Sequence, residues 1–322
     1  MSGPIVVSVV VASRGRPLRL RWLLNALEEQ TLGRDRWEAV VVHDYDPGTA
    51  DRVLARHELS EGGVLHHIAI APGSGSPASQ RNLGWRAARG EVIAFTDDDC
   101  RPAPEWLERL VAAAARRPGD ILQGATRPDP LEHAVLAAPH VRTHHIEPVG
   151  PFAQTCNILY PRELLERLQG FDEAAITGED ADLSLRARAA GVRISGAREA
   201  VVYHAVESHT LPGILRENLK WRHLAYLVKR RPELRRELTL GIFWDADHLW
   251  APAALVGVIG ARRSPLLLLL AAPYALRASR RRGPGRRARA VAVVELPGQA
   301  IRQLAEVFGL AAGSVRHRTL LL

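Results

Sequence analysis

Over residues 5–95 the chain alternates short apolar runs with amphipathic stretches. Ile5–Val11, Ala39–Val42 and Val92–Phe95 are nearly continuous apolar runs of strand length, rich in β-branched residues, whereas Leu20, Leu23, Leu24 and Leu27 recur at helical spacing. This rhythm predicts βαβ units and a mostly parallel sheet covered on both faces by helices. Further on, the pattern predicts a helix over Pro104–Arg117 and strands over Ile121–Thr126 and Thr155–Tyr160. A helix over Pro161–Leu168 with proline in its first turn comes next, then a helix over Glu179–Ala190 stopped by Gly191. Two short strands, Val192–Ser195 and Ala200–Tyr203, are expected to follow. Ligands of such sheets bind beyond the carboxyl ends of the strands, which directs attention to Ala12-Ser13-Arg14, His43-Asp44-Tyr45-Asp46 and Thr96-Asp97-Asp98-Asp99.

After His204 the pattern changes. Apolar segments Trp244–Gly260 and Pro265–Leu276 are divided by Ala261-Arg262-Arg263 and followed by the arginine-rich run Arg277 to Arg289. Each segment is shorter than the roughly 20 residues needed to span a bilayer as a helix. The expectation is a re-entrant hairpin or an interfacial pair of helices; the plain alternative is a helical subdomain packed on the catalytic body. The chain is therefore divided into residues 1–209, an α/β catalytic domain, and 210–322, a mainly helical, basic region.

Composition narrows the class. With 322 residues, 47% of them hydrophobic and 24% charged, the chain is long enough for a large core and is not a disordered tail. Two cysteines, Cys100 and Cys156, exclude a disulfide framework, leave no zinc cluster, fit a reducing cytosolic setting, and read as small buried fillers. The net charge of +8 is split: residues 1–204 carry 23 Lys and Arg against 27 Asp and Glu, and residues 205–322 carry 20 against 8. A basic region on an acidic body points to an anionic membrane surface as partner, with no nucleic acid expected. The opening residues lack a basic region followed by a cleavable apolar stretch, so the expected location is cytoplasmic, peripheral at the inner face of the membrane.

Three carboxylates in a row at the end of a strand repel one another and call for a cation. Mg²⁺ or Mn²⁺ suits Asp97 and Asp99, because such ions take a few carboxylate oxygens and fill their remaining positions with water and phosphate oxygens. An acidic turn capping the next helix is the bland alternative. Gly178-Glu179-Asp180-Ala181-Asp182-Leu183 opens a helix, where acids also favour the dipole, yet a carboxylate held beside a leaving group is suited to general-base work. His204, just after an apolar strand, would complete a metal shell through a neutral imidazole or serve as a hydrogen-bonded structural residue. His133, His140, His144 and His145 lack metal-site spacing and read as a loop over the active site.

Five motifs in order, VSVVVASRGRP, VVVHDYDP, ASQRNLGWRAARGEVIAFTDDDC, CNILYPRELLERLQGFDE and TGEDADLSLRARAAG, resemble the family 2 glycosyltransferases over residues 5–204. The resemblance implies the GT-A fold, a Rossmann-like mixed sheet, and inverting transfer from a nucleoside-diphosphate sugar. It implies a donor site built from Ala12, Ser13, Arg16, Asp44, Arg81, Asn82 and Asp98, with Asp97 and Asp99 as metal ligands and Asp99 the more direct. Asp180 would be the base, Glu179 would place donor or acceptor, His204 would be a further metal ligand, and Asn157 would lie on the acceptor side. The first two loops depart from the usual Pro-x-Tyr/His-Asn and Asp-Asp-Gly-Ser, so uridine is favoured without being fixed. Thr177-Gly178-Glu179-Asp180 and Glu217-Asn218-Leu219-Lys220-Trp221 imperfectly echo the Thr-Glu-Asp and Gln-x-x-Arg-Trp of processive synthases, which brings Trp221 in as an acceptor-side candidate. The acceptor is unknown, with a lipid-linked one favoured by the basic region. Two rival functions stay open: a sugar nucleotidyltransferase, and a non-enzymatic adaptor for membrane or nucleic acid.

Overall fold

The computed structural model describes residues 4–138, 140–280 and 285–322, so the arginine run from Arg277 to Arg289 and the first residues of the chain lie partly outside the described residues. The chain forms two compact units, Met1–Leu136 with Arg142–Glu207, and Ala137–Val141 with Ser208–Leu322.

The first unit is built on strands β1 (Val7–Ser13), β2 (Trp37–His43), β3 (Leu65–Ala69), β4 (Val92–Asp97), β5 (Cys100–Pro102), β6 (Ile121–Pro128), β7 (Asn157–Pro161) and β8 (Ile194–His204). They make one eight-stranded sheet in the order β3-β2-β1-β4-β7-β6-β8-β5. β1, β2, β3 and β4 are mutually parallel, β7 is antiparallel to both its neighbours, and β5 runs antiparallel to β8. The mixed, mostly parallel sheet flanked by helices is the fold class expected. β1 and β2 are buried along nearly their whole length, as their unbroken apolar runs require of strands covered on both faces. The layers on the two faces contain Leu20, Leu24, Trp106 and Leu110 on one side, and Trp85, Phe95, Tyr160, Phe171 and Leu183 on the other.

Helices α1 (Pro17–Glu28), α2 (Pro77–Ala87), α3 (Trp106–Arg116), α4 (Arg162–Leu168) and α5 (Glu179–Ala189) supply those layers. Ser76 caps α2 in a reciprocal capping box with Ser79, and Pro77 occupies the first turn. Gly84 lets α2 press onto β1, since a Cβ there would stand 2.5 Å from Val10 Cγ1. Pro161 precedes α4 instead of lying in its first turn.

The pair of short strands expected over 192–203 is a single strand, β8. Its parallel pairing with β6 slips between Gly124 and Ala125, where Gly124 faces Ala197 and Ala125 faces Val201. Such a bulge leaves carbonyls without ladder partners, and the Asn157 amide takes them: Nδ2 donates to Ala125 O (2.8 Å) and Ala200 O (2.9 Å), while Oδ1 accepts from Trp106 Nε1 (2.8 Å). Asn157 is 1% exposed, so the acceptor-side role expected of it is corrected: its polar atoms are consumed in holding the sheet together. Asn157→Ala would orphan these buried groups, and urea denaturation is expected to show a loss of about 3 kcal/mol or more.

The second unit is helical: α6 (Leu211–Asn218), α7 (Leu224–Arg230), α8 (Ala246–Gly260), α9 (Ala272–Arg280) and the long α10 (Arg286–His317), which packs against all the others. Inside it, Asn218 Nδ2 donates to Glu306 Oε1 (2.8 Å) and His248 Nε2 lies 3.0 Å from Glu306 Oε2. No helix among the described residues is long and apolar enough to cross a membrane.

Candidate active site

The parallel strands β1, β2 and β4 end side by side, with Ala12 opposite Asp97 and Ser13 opposite His43. Their polar continuations therefore gather at one edge, as the sequence predicts. Asp98 is 1% exposed and turned into the first loop, where Oδ2 accepts from Ser13 Oγ (2.7 Å) and from the Arg14 amide (3.3 Å). Tyr45 Oη is 2.7 Å from Ser13 Oγ. With its own proton given to Asp98, Ser13 takes the phenolic proton, and the chain Tyr45–Ser13–Asp98 braces the loop. Asp44 Oδ2 accepts from Gly73 N (3.2 Å) and meets Arg14 Nε at 3.2 Å.

Arg16 lies over the acidic turn, with Nη2 2.7 Å from Asp98 Oδ1, Nη1 against Asp99 Oδ2 and Glu207 Oε1 3.8 Å away. Burial opposes the charge of Arg16, but Asp98, Asp99 and Glu207 more than offset it and raise its pKa. Burial pushes Asp98 up to about 6, with Asp99 and Asp97 adding to the rise and Arg16 and Ser13 resisting it.

Asp99 and His204 are brought together by the antiparallel pairing of β5 with β8, which sets Cys100 opposite His204. His204 Nδ1 is 2.9 Å from Ala205 O, and a carbonyl can only accept, so Nδ1 donates to it and Nε2 is the ring nitrogen left to face the acidic turn. Nε2 faces Asp99 Oδ1 at 3.6 Å, and Asp99 Oδ1 is buried with no hydrogen-bond partner. A buried carboxylate oxygen and an imidazole nitrogen facing one another form a donor set that fits a divalent ion. Cys100 Sγ shares the same cluster within 4.8 Å, but burial and then Asp99 raise its pKa well above the ordinary value, so it remains a thiol. The filler roles of Cys100 and Cys156 fit their burial and free thiols.

Arg81, one turn before Gly84 on α2, joins the two acidic motifs. Its Nη2 donates to Asp97 Oδ1 (2.8 Å) and its Nη1 to Glu179 Oε1 (2.7 Å), with the guanidinium 5.9 Å from the centre of the Phe171 ring. Arg81 is 6% exposed. Burial works against the Asp97 carboxylate, but the Arg81 charge and hydrogen bond outweigh it and hold Asp97 below the usual range. Gly178, at φ 81°, turns the chain into α5 and delivers Glu179 and Asp180 to the helix's first turn. Asp180 Oδ1 accepts from the Ala181 amide (2.7 Å). Burial, then the neighbouring Glu179, push Asp180 up to about 7.

Other expected residues stand elsewhere. Asn82 is not available to a nucleotide: Oδ1 accepts from Trp85 Nε1 and Phe171 N (both 2.9 Å), and Nδ2 donates to Phe171 O (2.9 Å) and Glu173 Oε1 (2.8 Å). It pins the segment leading to α5 and so positions Asp180 indirectly. The Ser13 hydroxyl is likewise engaged by Asp98 and Tyr45, which leaves only the backbone of the Ala12–Ser13 stretch to face a ligand. Trp221 belongs to the second unit, where its ring meets Trp244 (5.9 Å) and His248 (5.3 Å) edge-on. Its motif neighbours are engaged too, Lys220 with Glu217 at 2.6 Å and Asn218 with Glu306.

His144 is the site residue the sequence did not reveal. Its ring packs edge-on to His204 at 4.6 Å, and burial followed by His204 lowers its pKa to about 4, so it is neutral beside the candidate metal ligands. Nothing in the spacing of His133, His140, His144 and His145 singles it out. Tyr45 was legible only as a departure from the usual second motif.

This architecture, a mixed sheet collecting carboxylates, arginines and a histidine at one edge, defines a protein of the GT-A fold. The sequence profile of the Glycosyl transferase family 2 matches residues 8–168, half of the chain, and the protein belongs to that family. Glycosyltransferase AglE of Haloferax volcanii is 27% identical over 205 residues, 62% of this chain and 66% of that protein. The pre-mycofactocin glycosyltransferase of Mycobacterium tuberculosis is 29% identical over 251 residues, 73% of this chain and 50% of that protein. The chain thus matches between half and two thirds of the length of these relatives. Among solved structures, the Pyrobaculum calidifontis mannosyltransferase PcManGT in complex with GDP-Man and Mn²⁺ superposes with a TM-score of 0.58 at 19% identity, covering 98% of this chain and 89% of that one. S. aureus TarS 1-349 in complex with UDP gives 0.52 at 18% identity, covering 98% and 92%. At these identities the likeness establishes the fold, and family membership establishes a glycosyltransferase.

Proposed function

We propose that residues 1–209 catalyse inverting transfer of a sugar from a nucleoside diphosphate, preferentially a uridine one, to an acceptor hydroxyl in a single displacement. The observation that supports this reading is the Arg81 bridge, whose guanidinium bonds both Asp97 at the end of β4 and Glu179 at the start of α5 and so draws two acidic motifs about 80 residues apart in sequence to one side chain. Asp99 and His204, with Asp97 beside them, hold a divalent cation, Mg²⁺ or Mn²⁺. When bound, that cation neutralises charge gathering on the departing diphosphate. Asp98, Ser13 and Tyr45 shape the first loop, and the backbone at Ala12 together with Arg16, Asp44 and Arg81 faces the nucleotide. Asp180 receives the acceptor proton on Oδ2 as the new bond to the anomeric carbon forms, the bond from that carbon to the diphosphate oxygen breaks, and the nucleoside diphosphate departs. Arg81 fixes Glu179 next to this base.

The basic region 210–322 favours a lipid-linked acceptor at an anionic membrane surface, on the inner face of the membrane, since its positive excess is matched there. A panel of nucleotide sugars, assayed for release of nucleoside diphosphate with Mn²⁺ and with EDTA, tests the reading; it predicts release from a uridine donor that EDTA abolishes. Release of pyrophosphate, or release indifferent to EDTA, would overturn it.

Arg16 doubles as the counter-charge of the metal-free turn. Arg16→Ala is expected to lower the Tm of the metal-free protein by a few degrees and to enlarge the rise that Mn²⁺ produces. Differential scanning calorimetry checks both. Because Asp98 and Asp180 are raised to about 6 and about 7, the stability they contribute is full below pH 4 and is lost as pH climbs through those values. The Tm of the metal-free protein should therefore fall between pH 5 and pH 8.

A further inference from the structure

The second unit carries an apolar hairpin that transfer chemistry does not use. Helix α8 buries Ala251, Ala254 and Gly257, but its last turns expose Leu255 (43%), Val256 (59%), Val258 (58%) and Ile259 (62%). After the turn at Arg262 and Arg263, the 3-10 segment Pro265–Ala271 buries none of its residues, and Leu266 (74%), Leu268 (49%), Leu269 (69%) and Leu270 (40%) stand exposed. Soluble surfaces scatter such residues singly. Here they cover both arms of one hairpin.

The arms are closed against each other by glycine. A Cβ on Gly257 would stand 2.6 Å from Leu267 O, and one on Gly260 2.6 Å from Leu267 Cδ1. Much of the turn's backbone is bonded within it: Arg263 N donates to Gly260 O (2.8 Å), Ser264 N to Gly260 O (3.1 Å) and Leu267 N to Ser264 O (3.1 Å), while Pro265 has no N–H. Each amide bonded within the hairpin lowers the cost of moving its apolar face into the headgroup–acyl boundary. In sequence, residues 248–294 contain nine arginines and no acidic residue, with Asp247 just before them paired to Arg277.

We infer that the hairpin formed by residues 255–270 is a monotopic anchor that lies along the surface of an anionic phospholipid leaflet. Its leucines, valines and isoleucine enter the headgroup–acyl boundary, to about 5–10 Å as interfacial helices do, and Arg262 and Arg263 reach lipid phosphates. Two arginines at the turn exclude tip-first burial in hydrocarbon and select the flat orientation, with their stems along the apolar surface. A leaflet is the occupant chosen over a protein groove because exposed apolar residues lie on both arms and the exposed Arg262 and Arg263 stand at the turn between them, where an anionic headgroup layer supplies both complements. The inference deepens the lipid-linked acceptor reading and rests on it only for the purpose of the anchor.

Vesicle sedimentation of the full chain tests this, using phosphatidylcholine vesicles with and without phosphatidylglycerol at low and high salt. The wild type is expected to bind the anionic vesicles. The triple variant Ile259→Ser, Leu266→Ser, Leu269→Ser is expected to lose binding at least about tenfold at both salt levels. Arg262→Gln with Arg263→Gln is expected to weaken binding to anionic vesicles at low salt and to leave that to neutral vesicles unchanged. All the altered side chains are exposed, and Mn²⁺-dependent binding of UDP should match the wild type, which separates failure of the anchor from failure of the transferase reading. Equal vesicle binding by the triple variant, no binding by the wild type, or a wild-type dimer that the triple variant turns into monomer would each overturn the proposal.

Discussion

Asp180→Asn is expected to lower kcat by about 10³-fold, because the amide cannot take the proton that the attacking hydroxyl must lose, and general-base contributions are commonly about 10²–10⁴. The fold should survive, since Oδ1 still accepts from the Ala181 amide. A split is therefore predicted: kcat collapses while the affinity for the donor stays within about twofold. The pH profile carries the same signature. Asp180 must be ionised to act, and it is raised to about 7 by burial and then by Glu179, so kcat/KM should climb as pH rises through 7 and level above it. In Asp180→Asn the residual rate should lose that limb. A variant with wild-type kcat would remove Asp180 from the mechanism.

The second large effect belongs to Asp99. Its Oδ1 is the buried acceptor without a hydrogen bond that faces Nε2 of His204, so Asp99→Ala removes half of the candidate cation cradle. We expect kcat/KM to fall on the order of 10³-fold, the scale on which lost transition-state electrostatic contacts register. In contrast to Asp180→Asn, KM for the donor should rise as well, and the remaining activity should respond little to Mn²⁺. A titration of rate against Mn²⁺ concentration in wild type and variant measures both. Activity that stays fully metal-dependent in Asp99→Ala would move the cation elsewhere.

The central strands were legible because burial on both faces leaves an unbroken apolar run, as in Val7–Val11 and Val40–Val42, and the acids that follow such runs fall at the ligand edge by geometry alone. Asp97 to Asp99 and Glu179 with Asp180 were legible for that reason. What was hidden depended on contacts between distant residues. Asn82 and Asn157 stand in motif-like positions, yet each spends its amide on the frame, one on the Phe171 segment and the other on carbonyls freed by the slip between Gly124 and Ala125. A bulge leaves no periodicity to read, so β8 looked like two strands. His144 was hidden because its partner, His204, lies 60 residues away. The Arg81 bridge was partly visible, as an arginine in a nucleotide-facing motif, but its double grip on Asp97 and Glu179 appears only once α2 is pressed onto β1 at Gly84. In the second unit, the arginines dividing two apolar segments announced a hairpin, while its glycine-closed arms needed coordinates.

Calorimetric titration of UDP into wild type, Asp180→Asn and Asp99→Ala, each with Mn²⁺ and with EDTA, asks most directly whether one pocket joins a cation-gripping turn to a proton-accepting helix start. The account predicts Mn²⁺-dependent binding of equal strength in wild type and Asp180→Asn, and its loss in Asp99→Ala. Binding that ignores Mn²⁺, or that survives unchanged in Asp99→Ala, would contradict it.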